Sequence, residues 1–198
     1  MDISLELWRV AAGILEDVTK LHTSVTYTPD ANRVRITFYN YPLYGGGGSG
    51  SGPVCVEVPR DTLTYRGGMV RFKTVSQSHC QFYQEKIGKA LSHPHIYNDG
   101  HPCWNNDGQR NSFPDFLSTV IAELFLTNVT HDSVTIGKCA SGVMGVSADA
   151  LRNAQRQHAL LVRALSPNPA VDNDAQLHAL MGRMWSERLT HYLKHRSA

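Results

Sequence analysis

Residues 91–104 read Leu91-Ser-His-Pro-His-Ile-Tyr-Asn-Asp-Gly-His-Pro-Cys-Trp104 and combine two prolines, a turn signal and one cysteine. Pro94 and Pro102 each fix φ and lack a backbone N–H donor, and Asn98-Asp99-Gly100 between them favours a tight turn. We therefore predict irregular backbone for this segment. Cys103 then lies on a loop, where a partner protein reaches its thiol, whereas a buried structural cysteine is usually inert.

The spacing of these residues resembles the catalytic segment of ubiquitin-conjugating enzymes, in which a His-Pro-Asn turn precedes a glycine and a thioester-forming cysteine. His93 and Pro94 match the first two residues of that turn, and His95 stands where the family has asparagine. Gly100 and Cys103 match the glycine and the nucleophile. The resemblance implies that Cys103 carries an acyl group, which suits sulfur because a thiolate takes over an acyl group from another thioester at little cost.

The same resemblance implies roles for the three histidines of the segment. The family's asparagine stabilises the loop and the oxyanion formed during amine attack, so His95 is either its partial replacement or only holds the loop. His93 holds the turn, which is its structural role in the family. His101 is a candidate base, although an exposed loop histidine is the commoner outcome. Five further polar residues orient the amine, supply an oxyanion donor or only form turns, namely Asn98, Asp99, Asn105, Asn106 and Asp107.

A metal site is the alternative for this region. Zinc prefers thiolates and neutral imidazoles in a tetrahedral arrangement. The pairs His93-x-His95 and His101-x-Cys103 match no compact zinc spacing, and each pair is constrained by the proline inside it. We therefore favour a site without metal. No other cofactor is implied, because in the family the activating enzyme consumes the ATP. The candidate ligands are His79, Cys80, His93, His95, His101 and Cys103.

Composition places the chain among ordinary globular domains. Its 198 residues suit one domain, with 41% hydrophobic and 18% charged residues. A net charge of +2 without a clustered Lys/Arg run gives no case for nucleic acid. No apolar run approaches the roughly 18 residues that span a bilayer, and the N-terminus lacks a basic signal-peptide start, so we expect a cytoplasmic protein. The cysteines form no CxxC pair, which favours free thiols at Cys55, Cys80, Cys103 and Cys139.

Hydrophobic patterns predict an opening helix, then strands, then further helices. Apolar residues recur at three- and four-residue steps in the first helix, and the helix after the Cys103 loop is apolar nearly all round, so we expect it to be buried. We predict Ser112 or Phe113 as the cap region of that buried helix, with Pro114 at its start. The predicted helices are 5–18, 81–91, 116–129, 147–165 and a last one from 172 onward, and the predicted strands are 24–28, 33–41, 54–58 and 69–75.

Residues 45–52 contain only glycine and serine, so we predict a flexible coil there. This composition is more typical of an engineered replacement for a mobile loop than of a natural sequence, with a natural low-complexity loop as the alternative. We exclude it from the site. Residues 147–198 form a C-terminal helical extension in this interpretation.

This order of elements is that of the ubiquitin-conjugating fold: an N-terminal helix, a four-stranded antiparallel meander, the active-site loop, and central and C-terminal helices. We therefore expect a single α+β domain over 1–198, with the likeness covering about residues 3–130. The family's Tyr-Pro-x-x-Pro-Pro segment is absent, and 72–92 is longer than in the family. The chain is interpreted as a divergent member, similar to bacterial relatives in ubiquitin-like conjugation or antiphage operons.

The resemblance implies three protein partners: a ubiquitin-like modifier, its activating enzyme and a target. In the family the first helix helps to dock the activating enzyme, and the alternative is a solvated face. The implied docking face carries Asp2, Glu6, Arg9, Gly13, Glu16, Asp17 and Lys20.

Three functions are compatible with these residues. The first is a conjugating enzyme that passes a modifier from Cys103 to an amine of a target protein. The second is a catalytically silent relative that binds or scaffolds the modifier or its activating enzyme, which the loss of the asparagine favours and the retention of Cys103 disfavours. The third is a Cys-His hydrolase, which requires a base within hydrogen-bond reach of Cys103.

Overall fold

A computed structural model describes residues 3–43, 50–85, 88–90, 96–97, 99–102, 104, 108–125 and 174–196. These ranges contain the helices α1 (Ile3–Thr19), α2 (Phe113–Phe125) and α3 (Asp174–Arg196). The strands are β1 (Thr23–Thr28), β2 (Arg33–Leu43), β3 (Gly50–Pro59), β4 (Leu63–Arg66), β5 (Met69–Phe72), β6 (Val75–Ser76), β7 (Gln81–Gln84), β8 (Lys89–Ala90) and β9 (Gln109–Arg110). The predicted α+β class is confirmed. Within the same ranges, no helix has the length and apolar character needed to cross a bilayer.

The main sheet is antiparallel, with the strand order β1-β2-β3-β7-β8. Ile36 of β2 lies opposite Val56 of β3, which lies opposite Phe82 of β7, and all three side chains are fully buried. The predicted four-stranded antiparallel sheet is confirmed, but its fourth long strand is β7 and not the predicted strand 69–75. Alternation along the strands places polar residues on the other face. That outer face carries Arg33, Arg35, Thr37, Cys55, Glu57, Gln81 and Tyr83.

Two predictions about the strands are wrong. We predict residues 69–75 as a strand of the main sheet, but β4 and β5 form a hairpin of their own. Gly67 and Gly68 make its turn with φ of +60° and +76°, which suits glycine. We also predict a helix at 81–91, whereas β7 pairs with β3 as the fourth strand and β8 pairs with β7. Strands this short show no clear period, so pairing with β3 decides their conformation.

A third correction concerns the glycine-serine run. Residues 50–52 belong to β3 and pair with the end of β2, where Gly52 lies opposite Tyr41 and Gly50 opposite Leu43. Coil is therefore the wrong prediction for these three residues, because backbone pairing with an existing strand needs no side chains. Residues 45–49 lie outside the described ranges, as does the helix predicted at 147–165.

The other predicted helices are confirmed where the structure describes them. At the start of α2 the Ser112 hydroxyl accepts a hydrogen bond from the Asp115 N–H at 3.3 Å, as expected of a capping serine, and Pro114 lies in the first turn. In α3 an apolar stripe faces the core. Leu177 and Met181 of this stripe are fully buried.

An aromatic cluster joins the three helices and the β4–β5 hairpin. The Phe113 ring lies 5.3 Å from Trp8 of α1, 4.4 Å from Trp185 of α3 and 5.7 Å from Phe72 of β5. Trp8 also meets Phe116 edge-on, with 6.1 Å between the ring centroids. Edge-to-face pairs contribute about 0.5–1.5 kcal/mol beyond the area they bury. Phe113, the first residue of α2, therefore contacts rings of the other three elements.

Tyr41 ties the sheet to α2. Its hydroxyl donates a hydrogen bond to the carbonyl of Leu124, one residue before the end of α2. The ring is fully buried, and this burial raises the pKa of Tyr41 well above its ordinary value, so the phenol remains a neutral donor. The strand register shifts between Phe38 and Tyr41, and Asn40 there has a φ of +58°. The irregularity places the Tyr41 ring in the core.

We expect Phe113→Ala to lower the free energy of unfolding by about 3–5 kcal/mol, because a buried aromatic ring is replaced by a cavity. Met69→Ala is the matched control, since Met69 is 55% exposed, and it should change stability by less than about 0.5 kcal/mol. Urea unfolding followed by tryptophan fluorescence measures both values. Equal losses in the two variants would contradict the central position of Phe113.

Candidate functional site

The described residues between Ile96 and Pro102 form a closed turn directly before Cys103. Ile96 and Pro102 make an antiparallel bridge, and both are buried. The Tyr97 N–H donates to the His101 carbonyl and the Gly100 N–H donates to the Tyr97 carbonyl, each at 2.9 Å. Gly100 has a φ of +87°, a conformation that glycine adopts without strain. The turn predicted around Asp99-Gly100 is confirmed.

The turn is anchored to the sheet, and the chain after it is anchored to the core. The Phe82 N–H of β7 donates to the Gly100 carbonyl at 2.7 Å. Trp104 is 6% exposed, and its backbone N–H donates to the side-chain oxygen of Gln77 at 3.4 Å. The Arg110 guanidinium lies 4.7 Å from the centre of the Trp104 ring. The residues that flank Cys103 in sequence are thus both buried.

Asp99 and His101 are hydrogen-bonded to each other on this turn. Asp99 Oδ2 lies 2.9 Å from His101 Nδ1, and Asp99 Oδ1 accepts the backbone N–H of His101 at 3.1 Å. Burial alone would raise the pKa of Asp99, but the hydrogen bonds from His101 outweigh it and hold that pKa below its ordinary value. A carboxylate on Nδ1 orients the imidazole and makes Nε2 the nitrogen for proton transfer. The His101 side chain is half-buried, and its partner is Asp99.

The other site residues predicted from the sequence lie outside the described ranges. Cys103, His95 and His93 are among them, and their roles stay predictions. The structure does bring His101 together with Asp99, which the sequence indicated only as one of several polar neighbours. The sequence signal for this pair is the position of Asp99 and His101 on either side of Gly100, because a turn at the glycine places both side chains on the same side of the loop.

Two members of the predicted metal set have other roles. The Ser76 N–H donates to the His79 ring nitrogen Nδ1 at 3.2 Å, so this imidazole caps a short 3₁₀ turn. Cys80 is fully buried in the core. Among the described residues, no three His, Cys, Asp or Glu side chains gather as a metal site.

Cys55 and Cys80 are packing residues. Both are fully buried free thiols. Burial raises the pKa of each thiol, most strongly that of Cys80, so neither forms a reactive thiolate near neutral pH. The Cys55 sulfur lies 3.4 Å from the Thr37 hydroxyl on the outer face of the sheet. Cys139 lies outside the described residues.

A polar pocket of 320 Å³ lies beside the turn, between Asp99 and the outer face of the sheet. Glu57 is one of its lining residues, and Glu57 Oε1 accepts the Arg35 Nε–H at 3.0 Å and the Tyr83 hydroxyl at 2.7 Å. Burial and this hydrogen bond raise the pKa of Tyr83, so its hydroxyl stays a donor. Sequence reasoning missed this network, because the alternation of β2 shows which residues face outward but not which strand supplies their partners.

The predicted docking face of α1 is partly covered by α3. Arg188 of α3 pairs with Asp17 of α1, and a groove between the two helices is lined by Arg9 and Gly13 of α1. Glu16 accepts the Thr23 N–H at 2.8 Å and so connects α1 to the start of β1. Any partner that approaches this face meets residues of both helices.

No protein-family model, no curated protein and no solved structure matches this chain. The likeness to ubiquitin-conjugating enzymes rests on the sequence alone, through the segment 91–104 and the order of the predicted helices and strands.

In His101→Ala we expect the pKa of Asp99 to rise toward its ordinary value, but only in part, because the backbone N–H of residue 101 still donates. Carbon-detected NMR titration of the carboxyl groups measures this change. Because the folded-state pKa is the lower one, the pair stabilises the fold above the unfolded-state pKa of aspartate and loses that effect as pH falls through the folded-state pKa.

His22→Ala is the matched control for that titration. His22 lies 3.0 Å from Glu16, whose pKa is lowered first by the Thr23 N–H and, more weakly, by His22. This variant should raise the pKa of Glu16 and leave Asp99 unchanged. An Asp99 pKa that does not move in His101→Ala would show that the pair is absent in solution.

Proposed function

We propose that this chain is a ubiquitin-conjugating-like enzyme that carries a ubiquitin-like protein as a thioester on Cys103 and transfers it to an amine of a target protein. The observation that carries the proposal is the bridged turn from Ile96 to Pro102, with Gly100 at a φ of +87°, immediately before the cysteine of the motif. The positive φ explains why a glycine stands at position 100 of the motif, since glycine adopts this conformation without strain.

A carrier cysteine has to keep its place while two other proteins approach it. Burial of Pro102 and Trp104 restricts the backbone on both sides of Cys103. The Asp99 side chain is 64% exposed, so the same turn also faces solvent. A backbone that is restricted on both sides of Cys103, next to an exposed turn, supports a site at which a macromolecular acyl donor and an amine meet.

The proposed reaction has two transfers. In the first, the Cys103 thiolate attacks the modifier's thioester carbonyl on the activating enzyme, and that enzyme's thiolate leaves. In the second, an amine nitrogen attacks the Cys103 thioester to give a tetrahedral oxyanion, which collapses to an amide as the Cys103 thiolate leaves. His95 and nearby backbone N–H groups share the oxyanion charge, and His93 holds the turn. His101, oriented by Asp99, takes the proton that the amine loses.

The proposed partners are proteins. They are the ubiquitin-like modifier, an activating enzyme that docks on α1 and the neighbouring part of α3, and a target that supplies the amine. The chain itself needs no small-molecule cofactor for these transfers, since the activating enzyme consumes the ATP. The proposal places the reaction in the cytoplasm.

Loading tests the role of Cys103. With activating enzyme, modifier and ATP, the wild-type chain should form an adduct that a reducing agent cleaves, and Cys103→Ser should form a reductant-resistant oxyester or none. Cys55→Ala and Cys80→Ala are matched controls that avoid a buried hydroxyl, and Cys139→Ser is a third; all should load normally. Unchanged reductant-sensitive loading of Cys103→Ser would refute the assignment.

His95→Ala should slow discharge of the loaded modifier to free lysine more than it slows loading, because the oxyanion donor acts when the amine attacks. An expected loss of about 10- to 1,000-fold in the discharge rate follows from the removal of one oxyanion donor. Single-turnover discharge assays measure both steps. A larger effect on loading than on discharge would remove the oxyanion role of His95.

A Cys-His hydrolase is the second candidate, and the Asp99–His101 pair favours it. A carboxylate on Nδ1 of an imidazole is the arrangement that orients the base in Cys-His and Ser-His hydrolases. The discharge assay separates the candidates, since a hydrolase releases free modifier without forming a lysine adduct. Binding of the modifier without any reaction would instead favour the silent scaffold.

A further inference from the structure

A groove of 600 Å³ runs between α1 and α3, away from the Ile96–Pro102 turn. Val10 and Gly13 of α1 and Tyr192 of α3 contribute its apolar surface, and arginine and histidine side chains contribute the rest. Its volume falls within the range of about 300–1,000 Å³ that is typical of small-molecule sites. None of the residues that carry the proposed acyl transfers lines this groove.

The charge of the groove is positive. Arg9, Arg188 and Arg196 line it, and of the described residues that line it none is acidic. Arg9 pairs with Glu6 and Arg188 pairs with Asp17 at the margins, which leaves three guanidinium groups against two carboxylates. Each guanidinium has five N–H donors, so one carboxylate does not saturate it. Exposed pairs of this kind also rearrange at little cost.

Flat ring faces lie next to these cations. The His191 and His195 rings lie one helical turn apart on α3, with 4.3 Å between their centroids and an angle of 55° between their planes, and both line the groove. Tyr192 lies between them in sequence and lines the groove as well. Guanidinium forks bind phosphate in two-point contacts, and planar rings favour a planar partner.

Gly13 gives an independent indication that the groove is kept open. A glycine inside a helix costs about 1 kcal/mol relative to alanine. Close packing does not require it here, because a Cβ at this position would have only Arg188 Nη1 nearby, at an ordinary 3.9 Å. The missing side chain therefore leaves room in the groove rather than room for a neighbouring helix.

We propose that this groove binds an organic phosphate with a flat ring, of the nucleotide class. The arginines hold the phosphate oxygens, and the ring lies against Tyr192 and the two imidazoles. This groove lies on the α1–α3 face where the activating enzyme is proposed to dock, but its test uses the chain alone and does not involve Cys103, so each proposal can fail without the other.

Isothermal titration calorimetry of the full chain alone, at low salt, tests the site with three probes. ATP should bind saturably at one site per chain. It should bind more tightly than adenosine, which has the ring without the phosphates, and more tightly than tripolyphosphate, which has the phosphates without the ring. Arg196→Ala removes charge and Gly13→Leu fills the groove, and each should weaken ATP binding by about tenfold or more. Because leucine is a better helix former than glycine, Gly13→Leu should fold.

The chain offers matched controls for both variants on α3. Arg183→Ala removes the same side chain outside the groove, and Gly182→Leu adds the same side chain where a Cβ meets nothing within 4 Å. Both should bind ATP within about twofold of the wild type. Three outcomes would overturn the proposal: no saturable ATP binding, equal losses in variants and controls, or tripolyphosphate binding as tight as ATP, which would show charge attraction alone.

Discussion

The contact of Phe113 with Trp8, Trp185 and Phe72 is the interaction on which the rest of the structure depends. It fixes the first turn of α2 against three other elements, and α2 in turn fixes Arg110. The Arg110 Nε–H donates to Thr119 of α2 at 2.6 Å, and its guanidinium covers the Trp104 ring. The aromatic cluster therefore positions α2, α2 positions Arg110, and Arg110 holds Trp104, the residue that follows Cys103.

The main sheet supplies both the core and the surroundings of the site. Its inner face buries Ile36, Val56 and Phe82 beneath the helices, and its outer face carries the pairing of Arg35 and Tyr83 with Glu57. Strand β7 contributes to both the core and the surroundings of the site. Phe82 packs inward while its backbone N–H holds the Gly100 carbonyl, so the same residue anchors the core and the turn before Cys103.

How far the site could be predicted depends on the distance over which its residues interact. Asp99, Gly100 and Pro102 form a turn for local reasons, and the sequence predicts that turn correctly. The capping of α2 by Ser112 and the buried stripe of α3 are local in the same sense. The Asp99–His101 pair was within reach of sequence reasoning, but the Glu57 network and the α1–α3 groove were not, because their partners come from separate elements.

The sequence by itself determined the helices α1, α2 and α3, the strands β1 to β3 and the turn at Gly100, because periodicity, capping and turn chemistry act within a few residues. Only the tertiary structure decided that β7 and not β5 completes the sheet, since a four-residue strand takes its conformation from the strand it pairs with. It also decided that α3 lies on α1, where Arg188 meets Asp17 across 171 residues of chain. Such contacts depend on how separate elements pack, which no local pattern records.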